Sequence, residues 1–184
     1  MRKLSMDELN RKTVTGFHQA EKNPLTIVLD NVRSMHNVGS VFRTADSFLA
    51  EQVMLCGYTP QPPHRDIQKT ALGATETVSW KHYAKTVDAV KELKEKGYRV
   101  MAVEQVENSI PLNRYYTEAH AKTAVIFGNE VTGVSDEVLA LCDAAIEIPQ
   151  AGMKHSLNIS VAAGIVLWKI FEQYLEAAKE KNNQ

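Results

Sequence analysis

The sequence predicts an α/β fold, a mainly parallel sheet flanked by helices, and three observations lead there. Short apolar runs rich in β-branched residues alternate along the chain with stretches of helical period. Those runs are continuously apolar rather than alternating, as in strands covered on both faces. The chain has 184 residues, 44% hydrophobic and 23% charged, which is ordinary globular composition and enough for one substantial core.

Residues 1–23 read as an N-terminal arm with an amphipathic helix near 6–21, and residues 24–184 as one domain. The strand candidates are Leu25-Thr26-Ile27-Val28-Leu29, Gln52-Val53-Met54-Leu55, Tyr98-Arg99-Val100-Met101-Ala102-Val103, Ala124-Val125-Ile126-Phe127 and Ala144-Ala145-Ile146-Glu147-Ile148. Helices are predicted between and after them, over 38–49, 86–96, 135–141 and 157 to about 181, with residues 176–184 as a fraying end. The last helix is apolar almost all round from 157 to 171, Trp168 included, so it is expected to be buried on more than one side, as a central helix and a dimer interface together.

Composition narrows the function classes. Net charge is −1, so no global basic field marks a nucleic-acid binder. Local basic positions, Arg2, Lys3, Arg11 and Lys12 in the arm and His64, Arg65 and Lys69 after the proline-rich loop, are solvated surface charge or an RNA-facing patch. No apolar run is long enough for a membrane span, and the N-terminus carries no secretory pattern. The two cysteines, Cys56 and Cys142, stand apart in apolar surroundings, as buried thiols of a reducing compartment do, so a cytoplasmic protein without a metal is expected.

In a parallel sheet ligands gather at the carboxyl ends of strands, so three loops carry the chemistry. The first contains Asn37, Gly39 and Arg43: Asn37 either caps the following helix or serves the site, and Arg43 either reaches the strand-end cleft or pairs on the surface. The second, Phe127-Gly128-Asn129-Glu130-Val131-Thr132-Gly133-Val134-Ser135, puts a glycine directly after a strand and a carboxylate, Glu130, beside it. Neither G-x-x-x-x-G-K-[ST] nor G-x-G-x-x-G occurs, which disfavours phosphate-driven chemistry on a nucleoside triphosphate. The third runs from Ile148-Pro149 through Gln150 and Gly152 to Ser156-Leu157-Asn158, with a helix starting near Ser156 and Asn158 in its first turn.

These three segments, in this order, resemble the TrmH-like (SpoU) branch of the SPOUT RNA methyltransferases. Asn37-Val38-Gly39 with Arg43-Thr44-Ala45 is similar to that family's first motif, Phe127-Gly128-Asn129-Glu130 with Gly133 to its second, and Ile148-Pro149 through Ser156-Leu157-Asn158-Ile159-Ser160-Val161-Ala162 to its third. Lys69-Thr70-Ala71-Leu72-Gly73-Ala74 resembles another recurrent stretch. The likeness covers about residues 24–175, in a minimal form without an N-terminal RNA-binding domain.

The resemblance implies a C-terminal trefoil knot, a homodimer and transfer of a methyl group from S-adenosylmethionine to a ribose 2′-hydroxyl of tRNA or rRNA. It implies a cofactor cradle of Phe127, Gly128, Ile148, Gln150, Gly152 and Leu157, largely backbone; Gln150 stands where members often carry methionine. It implies catalytic roles for Arg43, Asn37, Glu130, Ser156 and Asn158. A guanidinium is always protonated at ordinary pH, so Arg43 is read as a phosphate clamp that polarises the 2′-oxygen rather than as a free base. Base methylation on the same fold, and an RNA-binding dimer without the reaction, are the alternatives. The RNA itself is not legible; the arm, residues 58–66 and residues 108–120 are the candidate specificity segments.

Overall fold

The computed structural model describes residues 1–5, 7–118 and 121–182. Residue 6 of the expected arm helix, residues 119–120 of a candidate specificity segment and residues 183–184 of the tail lie outside them.

The apolar runs become strands β1 (Asn23–Asp30), β2 (Ala50–Cys56), β4 (Arg99–Val103), β6 (Thr123–Phe127) and β7 (Ala144–Glu147). Two more strands were not visible in the sequence: β3 (Ser79–Tyr83), whose outer residues are exposed, and the two-residue β5 (Ile110–Pro111). Both lie at the ends of the sheet, where one-sided cover leaves no continuous apolar run to read. The order is β3-β2-β1-β6-β4-β7-β5, and every pairing is parallel. The α/β expectation therefore holds.

Helices α1 (Val14–Gln19), α2 (Met35–Ser47), α3 (Arg65–Ala71), α4 (Ala74–Thr77), α5 (Thr86–Glu95), α6 (Asp136–Leu139) and α7 (Ile159–Asn182) cover the two faces. Alternate residues of one strand feed different cores: Leu25, Ile27 and Leu29 of β1 pack with α2, α3 and α7, whereas Val28 packs with α5 and α6. β6 does the same, Val125 and Phe127 against Ala124 and Ile126. That period of two explains why residues 25–29 are apolar except at Thr26 and residues 124–127 are apolar throughout.

Four local expectations are corrected. The arm is not one helix: a short 3-10 turn at Asp7–Leu9 precedes α1, which Thr13 caps by accepting from the Gly16 N–H. Helix α2 begins three residues earlier than expected, with Ser34 as its cap, so Asn37 lies inside its first turn. Helix α7 begins at Ile159 rather than near Ser156, because Asn158 is its cap and accepts from the N–H and hydroxyl of Ser160 at 2.9 and 2.6 Å. Within the single chain one face of α7 is in the core, as expected, with Ala163, Val166, Leu167 and Ile170 inside, and the side expected at a dimer interface is open, with Val161, Ile165 and Trp168 39–49% exposed. Of the cysteines, both free, Cys56 is buried and Cys142 only half-buried.

The stretch 69–74 has a structural reason. Thr70 Oγ1 donates to the carbonyl of His36 at 3.0 Å, and a Cβ on Gly39 would lie 2.3 Å from the carbonyl oxygen of Ile67. Glycine is what lets α3 sit directly on α2. Gly39→Ala is expected to force the two helices apart and cost about 1–3 kcal/mol, the usual penalty of overpacking, read as a lowered urea midpoint.

Candidate active site

The sheet reverses its winding between β1 and β6: β2 and β3 continue to one side of β1, while β4, β7 and β5 lie beyond β6. In such sheets the crevice at the carboxyl ends of the strands flanking the reversal is where ligands bind. A cavity of about 650 Å³ lies beside the reversal, on the β4 side of β6, walled by the ends of β4, β6 and β7 and by the loop leading into α7.

Glu130 is the node of its rim. One carboxylate oxygen accepts from the Arg33 N–H at 2.9 Å; the other accepts from the Ser34 N–H at 3.1 Å and the Asn37 amide at 3.0 Å. Asn37 is buried, and its own side-chain oxygen accepts from the Asn158 amide at 3.2 Å. One carboxylate thus joins the loop after β6 to the loop after β1, and Asn37 passes the connection to the start of α7. The three sequence motifs, scattered over more than 120 positions, meet in one hydrogen-bonded relay.

Partial burial by itself would raise the Glu130 carboxyl, but the N–H groups of Arg33 and Ser34, its own N–H and the Asn37 amide outweigh that and hold it below its ordinary value. Beneath it Asn129, also buried, shapes the turn. Its side-chain oxygen accepts from Val131 and Thr132, and its amide donates to the carbonyl of Asn31 and the hydroxyl of Tyr58, both at 2.8 Å. Asp30, 1% exposed at the end of β1, accepts from the hydroxyl of Thr86 and from the Ser135 N–H, closing the other side of the same loop.

Gly128 lines the cavity and also has a packing reason to be glycine. A Cβ there would lie 2.1 Å from the backbone of Gly133 and Val134, so the glycine lets the turn fold back on its own strand. Ser135 precedes α6, yet its hydroxyl goes to Asp30 and not to the helix N-terminus.

Of the expected cofactor residues, Phe127, Gly128, Ile148, Gln150 and Leu157 line the cavity, as do Glu130, Ser156 and Asn158. Gly152 is not among the lining residues, and open space surrounds the position its Cβ would take. Arg43 is not brought there either. It follows Asn37 by six helical positions, roughly a third of a turn round α2 from it. It is exposed, and among the described residues no partner engages its guanidinium.

The cavity's charge is informative. Glu104, Glu130, Asp136 and Glu147 line it with a single histidine, His155, and among the described residues no lysine or arginine does. Phosphate groups would meet only repulsion there, which agrees with the missing phosphate motifs, whereas a cationic ligand with a polar sugar is accommodated. Val103, Ile146, Ile148, Ile159 and Ala162 add an apolar wall suited to a planar base. Glu104 and Asn129 also line the cavity, and the one sequence signal for Glu104 is a carboxylate directly after the apolar run of β4.

The description of the SpoU rRNA Methylase family matches residues 24–168. The chain is 34% identical over 171 residues to the tRNA (guanosine(18)-2′-O)-methyltransferase of Thermus thermophilus, covering 92% of this chain and 86% of that one. Its fold superposes with a TM-score of 0.78 on the TrmH/SpoU tRNA modifying enzyme of A. aeolicus, at 26% identity over 88% of this chain and 80% of the other. With the AdoMet-bound rRNA methyltransferase from Sinorhizobium meliloti the TM-score is 0.75, at 28% identity over 81% of this chain and 56% of that one.

The relay has a pH signature. Since the folded Glu130 carboxyl lies below its ordinary value of 4.5, the unfolded chain takes up the proton first as pH falls. The stability that Glu130 contributes is complete above that value and is lost as pH drops through the folded one. Urea midpoints measured from pH 6 down to pH 3 should fall less steeply for Glu130→Gln than for the wild type; parallel curves would remove Glu130 from this role.

Proposed function

The chain belongs to the SpoU RNA methylase family, and from that premise we propose that it transfers a methyl group from S-adenosylmethionine to a ribose 2′-hydroxyl of a structured tRNA or rRNA. The observation that carries the reading is the Glu130–Asn37–Asn158 relay at the rim of a cavity lined by carboxylates and by no lysine or arginine among the described residues.

Phe127, Gly128, Ile148, Gln150 and Leu157 would hold the cofactor, which supplies a methyl group on a cationic sulfur and leaves as a neutral thioether. Much of this wall is backbone and apolar side chain, and that suits the reaction: a tight grip on the cation would stabilise the ground state rather than the transition state. What the protein has to provide is alignment of the 2′-oxygen with the methyl carbon. Asn158 and Ser156, at the mouth of the cavity, orient the ribose, and Asn37 holds Asn158 in place. Arg43 clamps a flanking phosphate of the RNA and polarises the 2′-oxygen, whose proton leaves to a solvent-accessible acceptor.

The exposed apolar side of α7 supports a homodimer. Leu157, Val161, Ile165, Trp168 and Leu175 recur at helical spacing and remain 38–49% exposed in the single chain. Phe48 at the end of α2 stacks on Phe171 with ring centroids 5.1 Å apart and meets Trp168 at 5.9 Å, so the stripe borders the helix that bears Arg43. Pairing along it lets the second copy complete the site, which explains an Arg43 that stands clear of its own cavity. In the same reading the loops around 128–133 and 148–158 are tied as a trefoil knot, and the enzyme works in the cytoplasm. Among the described residues no helix is long and apolar enough to cross a membrane.

Incubation with labelled S-adenosylmethionine and separate pools of unmodified tRNA and rRNA, followed by nucleoside mass spectrometry, should place the label on a ribose. Label on a base would overturn the ribose assignment; no label in either pool, with cofactor binding intact, would favour an RNA-binding dimer. Arg43→Lys should lower turnover at least tenfold while leaving the calorimetric affinity for S-adenosylmethionine unchanged, because Arg43 is outside the cavity. Ile165→Asp should convert a dimer to a monomer by light scattering.

A further inference from the structure

Glu104 follows β4 directly and lines the cavity from the side of β6 opposite β1 and the relay. Its two oxygens are each fixed by a main-chain donor: one accepts from the Gln105 N–H at 3.0 Å and the other from the Val134 N–H at 3.1 Å. The second of these oxygens lies so close to Gly133 that a Cβ there would stand 2.2 Å away, so the carboxylate is wedged against the turn of the loop after β6. No cation pairs with it among the described residues. Each oxygen keeps a free lone pair, and a half-buried carboxylate without a counter-charge favours a ligand that donates hydrogen bonds to it.

The other carboxylates of the cavity are less suited. Glu130 is already occupied by three donors, and among the described residues no donor holds the side chain of Glu147 or Asp136 in one orientation. We propose that Glu104 is the residue that selects the sugar of the cofactor, its two backbone-pinned oxygens accepting from the vicinal 2′- and 3′-hydroxyls of the adenosine ribose. The inference rests on the cofactor reading above. Two oxygens held at fixed spacing match a vicinal diol in the way a strand-end carboxylate matches ribose in other parallel-sheet proteins. An ammonium group, a point charge free to take carbonyl oxygens, needs no such pair. The location agrees: the methyl group must reach the relay on the β1 side of β6, which leaves the β4 side to the sugar.

The test is calorimetric binding of S-adenosylhomocysteine, its 2′-deoxy and 3′-deoxy forms and 5′-methylthioadenosine to the wild type, Glu104→Gln and Glu104→Ala, with urea unfolding of each variant. The wild type should lose about tenfold or more in affinity for each missing hydroxyl, the usual size of a charge-assisted hydrogen bond. In both variants the loss should shrink to about twofold, because the ribo form falls to the level of the deoxy forms. A variant that merely loosened the loop would weaken all ligands together and keep the ratio, which would overturn the inference. So would a wild type indifferent to the deoxy forms. If Glu104→Gln instead abolished only the preference for S-adenosylhomocysteine over 5′-methylthioadenosine, the carboxylate would hold the amino-acid tail and not the sugar. A wild type that bound none of the four would sink the cofactor reading itself and this inference with it.

Discussion

The placement of Glu130 is the constraint on which the site depends. A carboxylate at the end of β6 accepts two main-chain N–H groups of the loop after β1 and the amide of Asn37. Those N–H groups, just ahead of α2, would otherwise need water, and the carboxylate supplies an acceptor and a favourable charge together. The consequence is mechanical. The loop after β1, the loop after β6 and the start of α7 cannot shift independently, since Asn37 bonds both Glu130 and Asn158. Catalysis by alignment requires that rigidity, because small displacements of a reacting oxygen cost large factors in rate.

Around that node the chain separates two electrostatic tasks. The cavity is acidic and apolar, fit for a neutral or cationic ligand, while the candidate phosphate clamp, Arg43, stands outside it on the exposed side of α2. An arginine inside the cavity would repel a sulfonium and pair with the carboxylates. One chain by itself does not bring Arg43 to the cavity.

Close backbone packing underlies both arrangements. Gly39 lets α3 rest on the helix that carries Asn37 and Arg43, and Gly128 lets the loop after β6 fold back on its strand. Behind them the central strands divide their side chains between two cores, so the strand ends that bear the loops are held from both faces. Helix α7 is the exception, with one face in the core and the other, from Val161 to Trp168, uncovered in the single chain.

The sequence by itself determined the class of the fold, since a strand covered on both faces has to be apolar at most positions, and residues 25–29 of β1 and 124–127 of β6 carry that mark. It also pointed to segments that the fold brings together, since Asn37 at the start of α2 bonds Glu130 after β6 and Asn158 ahead of α7. The edge strands β3 and β5 left no comparable mark. Helix starts were misjudged where two cap residues compete: Ser34 and Asn37 both suit the role, and only the folded chain shows Ser34 taking it while Asn37 turns to Glu130. Tertiary structure decided the rest. Whether a carboxylate such as Glu104 is pinned by backbone donors, and whether Arg43 reaches the cavity, depends on distances between segments far apart in the chain. Such distances are set by packing, and no local spacing encodes them.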